Sequence, residues 1–154
     1  MRRTALNGGN KMNKYPSRVV EDRHGKGKAL AATRDLDEGV RVEKFEGPVI
    51  PYGAVPQDMI CHAFYVGVKE EDDQWVVSTT DAIRANHSCD PNCRVDDELH
   101  IVTIRPVKKD EELTFSYNHL DGDEKSLNFF WDHQWDFECK CGSPNCQKKI
   151  DRYV

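Results

Sequence analysis

This sequence predicts a mostly β domain of many short strands, with long loops and a small metal-stapled tail. Two observations carry that expectation. Apolar and charged residues alternate at a period near two, in short stretches broken by glycines and turn formers. Three of the six cysteines crowd between positions 139 and 146 as CxCxxxxC. With 154 residues and 38% hydrophobic content the chain can bury one core but not two ordinary ones, so one domain with appendages is expected.

From the N-terminus, residues 1–15 read as a flexible basic tail in which Met12 offers an alternative start. The stretch GKGKALAATRDLDEGVRVEKFEGPVI reads as short strands separated by the turn-like DLDEG. Residues 51–80 open with a Pro- and Gly-containing connector and continue through the apolar ICHAFYVGV. They then cross the acidic KEEDDQ, which predicts a hairpin around Glu70–Asp73, and end in the strand-like WVVSTT. RANHSCDPNCRV holds too many turn formers for a strand or a long helix, so it reads as a loop pinned between WVVST and LHIVTIRPV. KKDEELTFSYN reads as a turn and a strand, and LNFFWDHQWDF as an aromatic lead of helical or irregular character into the cysteines. The division expected is a body at 16–120 and a tail at 121–154.

No apolar run approaches the roughly 18 residues of a membrane span, and the opening MRRTALNGGNK lacks a secretory apolar stretch. The expectation is a soluble, intracellular protein, nuclear or cytoplasmic, with no membrane partner. Charge is uneven: residues 1–30 hold eight Lys/Arg against two acids, leaving fourteen against twenty-five for the rest, a net −11. A body of that sign favours basic partners and disfavours direct contact with a nucleic-acid backbone.

The cysteine spacing argues for metal over a secreted disulfide framework. A structural zinc wants four ligands in a tetrahedron, and Cys139, Cys141 and Cys146 supply three. Cys89 and Cys93, in the CxxxC of the loop, are the leading candidates for the fourth, with Cys61, His87 and His133 behind them. A nucleophilic Cys89 served by His87 is a weak reading, because near neighbours on a turn rarely aim at each other.

The string RANHSCDPN, Arg84 to Asn92, followed by EELTFSYN, Glu111 to Asn118, resembles the paired signature of the SET family of protein lysine methyltransferases. GKG at Gly25–Gly27 and FEG at Phe45–Gly47 fall where that family has its glycine motif and its aromatic-x-Gly strand. CKCGSPNC resembles its post-SET zinc tail, so the likeness spans about residues 16–150. The resemblance implies a SET-domain fold of several short-stranded sheets, with a C-terminal pseudoknot and a small zinc-bound post-SET tail. It further implies an enzyme that transfers methyl from S-adenosylmethionine to a lysine of a basic protein such as a histone, with S-adenosylhomocysteine as product.

Residue by residue, the resemblance gives Tyr117 as the catalytic tyrosine. Cofactor binding falls to Gly25, Lys26, Gly27, Arg84, Asn86, His87 and Tyr117, with Phe137 placed against the adenine and Trp135 as the other choice. Phe45 and Phe115 line the substrate channel, and Cys89, Cys139, Cys141 and Cys146 hold Zn2+. Because position 115 carries phenylalanine where the family has phenylalanine or tyrosine, room for di- or trimethylation is expected. A neutral lysine costs about 4.6 kcal/mol at pH 7, so the site calls for aromatic burial of the amine rather than for carboxylates. By this logic Glu111 and Glu112 stay off the lysine.

Three departures from the family stand out: Phe45 where most members have tyrosine, QKKI after Cys146 without the frequent glycine, and a short insert between FEG and NHSC. Phe45 gives some support to a different class of protein, a catalytically weak or inactive SET-like peptide-binding module.

Overall fold

The computed structural model describes residues 14–22, 27–119 and 131–154. Gly25 and Lys26 lie outside the described residues, as does nearly all of the basic tail. So does the side chain of Cys61, which belongs by its backbone to the 3-10 turn Gln57–His62.

Among the described residues twelve short strands form five sheets of two or three strands each, as the alternation and turn density predict. β1 (Ser17–Glu21) pairs antiparallel with β2 (Lys28–Ala32). β3 (Arg41–Lys44), β9 (His100–Thr103) and β8 (Cys93–Val95) form a second antiparallel sheet with β9 in the middle. β4 (Val49–Pro51), β6 (Asp72–Val77) and β5 (Ala63–Lys69) form a third, with β6 central. β7 (Asn86–His87) and β10 (Thr114–Phe115) pair in parallel, and β11 (Phe137–Glu138) pairs with β12 (Lys149–Ile150).

Burial explains where simple alternation fails. In β2, four consecutive residues from Ala29 to Ala32 are buried. β1 pairs along one edge and residues 111–113 along the other, where Leu113 N donates to Leu30 O at 2.8 Å and Ala32 N to Glu111 O at 3.0 Å, so the strand is covered by backbone on both sides. β9 is likewise buried throughout, as expected of a strand covered on both faces. The acidic hairpin falls where the sequence places it: Glu70 and Glu71 carry φ of 53° and 70° between β5 and β6. That is the left-handed pair a tight hairpin requires.

The main core packs Leu30, Val42, Ile101, Val107 and Leu113 with Phe45 and Phe115. A satellite cluster of Val55, Ile60 and Val77 carries Tyr52, Trp75 and Trp135 on its flank. Gly47 of the FEG motif is required by close approach, because a Cβ there would sit 2.0 Å from the carbonyl oxygen of Val77.

Candidate active site and thiol cluster

The turn from Thr80 to Cys89 is built by a cap. The Thr80 hydroxyl accepts from Ala82 N at 3.3 Å and donates to Lys44 O at 2.5 Å, starting the 3-10 turn Asp81–Arg84 and fixing it to β3. Arg84 ends that turn exposed, with His62 nearby; burial, and then the Arg84 guanidinium, push His62 below its usual value. Asn86 and His87 follow as β7, register-paired with Thr114 and Phe115.

That pairing brings the two motif segments together. Ser88 N donates to Phe115 O at 3.2 Å, and Tyr117 N donates to Nδ1 of His87 at 3.0 Å. The Tyr117 hydroxyl donates to Ala85 O at 2.5 Å. Asn86 spends its side-chain amide on the protein, donating to Lys28 O at 3.1 Å and to Glu112 Oε2 at 3.0 Å. Glu111 is held by Asn92, whose Nδ2 donates to Glu111 Oε2 at 3.2 Å and to Glu112 O at 2.8 Å. Both carboxylates thus serve the scaffold.

An aromatic series begins at this crossing. Phe45, 2% exposed, lies 4.4 Å from Phe64 and 5.7 Å from Phe115 by ring centroids; Phe115 lies 4.8 Å from Tyr117. Phe137 is 5.8 Å from Tyr117 and 5.4 Å from His87. Phe64, Phe115, Tyr117 and Phe137 line a cavity of about 880 Å³ between the β4–β6–β5 sheet and the tail. Phe45 stands behind Phe64 and Phe115 rather than on that cavity's wall. Gly27 takes φ +90° with open space where a Cβ would be, so backbone conformation is what calls for glycine there.

The cysteines form the other half of the site. The sulfurs of Cys89, Cys139, Cys141 and Cys146 all lie within 4.8 Å of one another, and Cys89 and Cys139 are 3.8 Å apart. Zinc–thiolate bonds of about 2.3 Å in a tetrahedron put sulfurs roughly 3.8 Å apart, so the donor set fits that ion. Backbone N–H groups of Gln147 and Lys148 point at Cys89 and Cys146 sulfurs at 3.3 and 3.4 Å, the environment a thiolate needs.

Burial works against the Cys141 thiolate, but hydrogen bonding led by Ser143 outweighs it and brings that thiol down to about 6. Burial pushes Cys89 and Cys139 up. Cys93, the rival fourth donor, starts β8 in the core at 1% exposure, where burial pushes it up to about 12. His133 turns to Asp136 instead.

One expectation needs correcting. His87 and Cys89 do aim at each other: Nε2 of His87 is 3.3 Å from Cys89 Sγ. Because Nδ1 accepts from Tyr117 N, Nε2 carries the proton and donates to sulfur. The two-residue spacing works because His87 ends strand β7, and in extended backbone residues two apart point to the same side. The contact joins Tyr117 to the thiol cluster, and Cys89 sits among three other thiols.

Sequence reasoning passed over Asn92 and Asn118, although both lie in the quoted motifs. Asn118 is fully buried; its Nδ2 donates to Arg152 O at 2.8 Å and its carbonyl accepts from Val154 N at 2.8 Å, tying the tail to the body. Also missed was the pairing of Tyr52 with Trp135 and Asp132, which join insert and tail at 3.0 and 2.6 Å.

A parallel β7–β10 crossing, with His87 of β7 held against Tyr117 just beyond β10, and small sheets around one core define a SET-type fold. Comparison with known proteins agrees: the SET domain family model matches residues 27–118, and the chain belongs to that family. Trithorax of Drosophila virilis, a histone-lysine N-methyltransferase, is 31% identical over 147 residues, covering 83% of this chain and 3% of that protein. The H3 lysine-36 specific histone-lysine N-methyltransferase of Debaryomyces hansenii is 28% identical over 151 residues, covering 87% of this chain and 19% of its own. The chain thus spans a small part of these relatives. A Plasmodium falciparum protein named as a candidate histone methyltransferase superposes with a TM-score of 0.56 at 17% identity, over 71% of this chain and 98% of that one, and shares the fold. Among the described residues no helix is long and apolar enough to cross a membrane.

Proposed function

We propose that this chain is a protein-lysine N-methyltransferase that uses S-adenosylmethionine, acts on a lysine of a basic protein such as a histone, and can add a second and third methyl. The body is taken as residues 16–120 and the zinc-binding tail as 121–154. The observation that carries this reading is the meeting of Tyr117 with the Asn86–His87 turn at the inner end of an aromatic cavity.

S-adenosylmethionine, when bound, supplies a methyl on a positive sulfonium. The residues on the Asn86–His87 turn, with Gly27, Arg84 and Phe137, are the ones to hold it, and Lys26 and Gly25 complete that set in the family. The chain's task is to align a lysine amine and keep it neutral. Phe64 and Phe115 make an apolar wall that disfavours the ammonium form, and among the described residues no Asp or Glu side chain lines the cavity to restore it. Tyr117, its hydroxyl fixed on Ala85 O, presents that oxygen in one orientation beside the same wall. Phe115 brings no hydroxyl that would hold a water and crowd a partly methylated amine. Zinc on Cys89, Cys139, Cys141 and Cys146 would press Phe137 toward His87 and Tyr117.

Transfer of labelled methyl to histones, ribosomal proteins and cell lysate tests the reading. Transfer by the wild-type chain and its loss in Tyr117→Phe are expected, with dimethyl or trimethyl product by mass spectrometry. Cofactor binding without transfer to any of these substrates would favour a peptide-binding module, and a clean stop at one methyl would remove the role given to Phe115.

A further inference from the structure

We propose that the aromatic corner of Trp131, Trp135 and Tyr153 is a subsite for the guanidinium of an arginine flanking the target lysine. This rests on reading the 880 Å³ cavity as the substrate groove, which all three rings line. Trp131 stands nearly perpendicular to Trp135, with centroids 5.3 Å apart at 86°, and to Tyr153, at 5.2 Å and 89°. Trp135 and Tyr153 are 6.5 Å apart at 62°. The three rings meet edge to face, Trp135 with Tyr52 and Trp75 also against it at 6.3 and 5.9 Å, and each stays half-buried with part of its surface on the cavity.

The polar atoms of the indoles are committed elsewhere. Trp131 Nε1 donates to Asp136 Oδ1 at 2.7 Å, and Trp135 Nε1 donates to the Tyr52 hydroxyl at 3.0 Å, which in turn donates to Asp132 Oδ2 at 2.6 Å. Ring surface is therefore what the two indoles leave to the cavity. Donation toward a carboxylate also shifts electron density onto the ring and strengthens its attraction for a cation. The Trp131 hydrogen bond is in turn the leading reason that Asp136 sits below the usual carboxylate range.

The chemistry of the lining selects the cation. No Asp or Glu lines the cavity among the described residues, so a strongly hydrated ammonium would surrender water for nothing in return. A guanidinium is flat, weakly hydrated and suited to lying on a ring face. Arg94 from β8 and His119 share the cavity, and Lys149 approaches Asp136 at 3.9 Å, so the gain belongs at the modest end of cation–π energies. The net −11 outside the first 30 residues draws arginine-bearing chains toward the protein.

The test uses peptides with one lysine and one arginine moved along both flanks. Each is compared with citrulline, lysine and trimethyllysine at the same position, and binding to the full chain is followed by tryptophan fluorescence and calorimetry. At one flanking position arginine should bind roughly 2- to 5-fold tighter than citrulline, which has its shape without its charge. That preference should vanish in Trp131→Leu and in Tyr153→Leu, each checked for zinc content and circular dichroism. Equal binding of arginine and citrulline at every position would overturn the proposal, as would a preference that survives both substitutions. Tighter binding of trimethyllysine than arginine would overturn it in favour of a round cation. Methyl transfer without arginine preference sinks this inference alone, whereas arginine preference without transfer upholds it and sinks the transferase reading.

Discussion

The crossing at residues 80–118 and the tail at 131–154 meet at one site but are held by different physics. The crossing is fixed by buried hydrogen bonds and by a core in which Leu30, Ile101 and Leu113 are fully covered. The tail has a two-residue ladder, one fully buried apolar side chain in Ile150, half-buried aromatics and four convergent thiols. A ladder that short is not self-supporting. The difference teaches that the Asn86–His87 strand and the segment carrying Tyr117 are preformed by folding of the body, while the face completed by Phe137 would draw its support from a metal held by the four thiols.

Breaking the comparison should therefore give unequal results. The largest effect is expected from Cys139→Ser or from a chelator. Metal binding worth about 10–16 kcal/mol in apparent terms is far more than the tail's remaining contacts supply. Limited proteolysis should then cut within 120–154 while the β signal in circular dichroism persists, and simultaneous loss of both would deny the body its independence. Next comes Tyr117→Phe, predicted to lower turnover by about 10²-fold or more while costing only about 1 kcal/mol of stability for the lost bond to Ala85.

Leu113→Ala should destabilise the body by about 2–5 kcal/mol in urea titration, with zinc stoichiometry unchanged in the folded protein. Trp135→Phe removes the bond to Tyr52 and should cost about 0.5–1.5 kcal/mol, with the change confined to tail protection in hydrogen exchange.

The smallest effect concerns acid. Burial opposes the charge of Asp132, yet hydrogen bonds led by Tyr52 bring it below its ordinary value; Asp136 is lowered first by Trp131. Groups whose folded value is depressed add stability above their unfolded value, near 3.9, and lose it as pH falls through the folded one. Tail docking, read by tryptophan fluorescence, should be constant above about pH 5 and weaken only below the ordinary carboxylate range.

How much of this was legible follows the same division. The two motif strings could be read because each is local, and their meeting across twenty-odd residues came with the family likeness. The three clustered cysteines were legible by spacing. The choice of Cys89 over Cys93 was not, since it turns on which residue faces the core where β8 begins. The contact of His87 with Cys89 was misjudged, because the motif was read as a turn, whereas His87 lies in strand β7 and residues two apart in extended backbone share a face. Tyr52, Trp75 and Trp135 carry no shared period or motif; only the packed tail brings them together.

The central claim is that the Asn86–His87 turn, Tyr117 and Phe137 surround one ligand. Amide chemical shifts recorded while S-adenosylhomocysteine is titrated into the zinc-loaded chain test it most directly. The resonances of Asn86, His87, Tyr117 and Phe137 should move together with a single dissociation constant. Movement confined to other residues, or separate binding curves for Phe137 and Tyr117, would contradict the account.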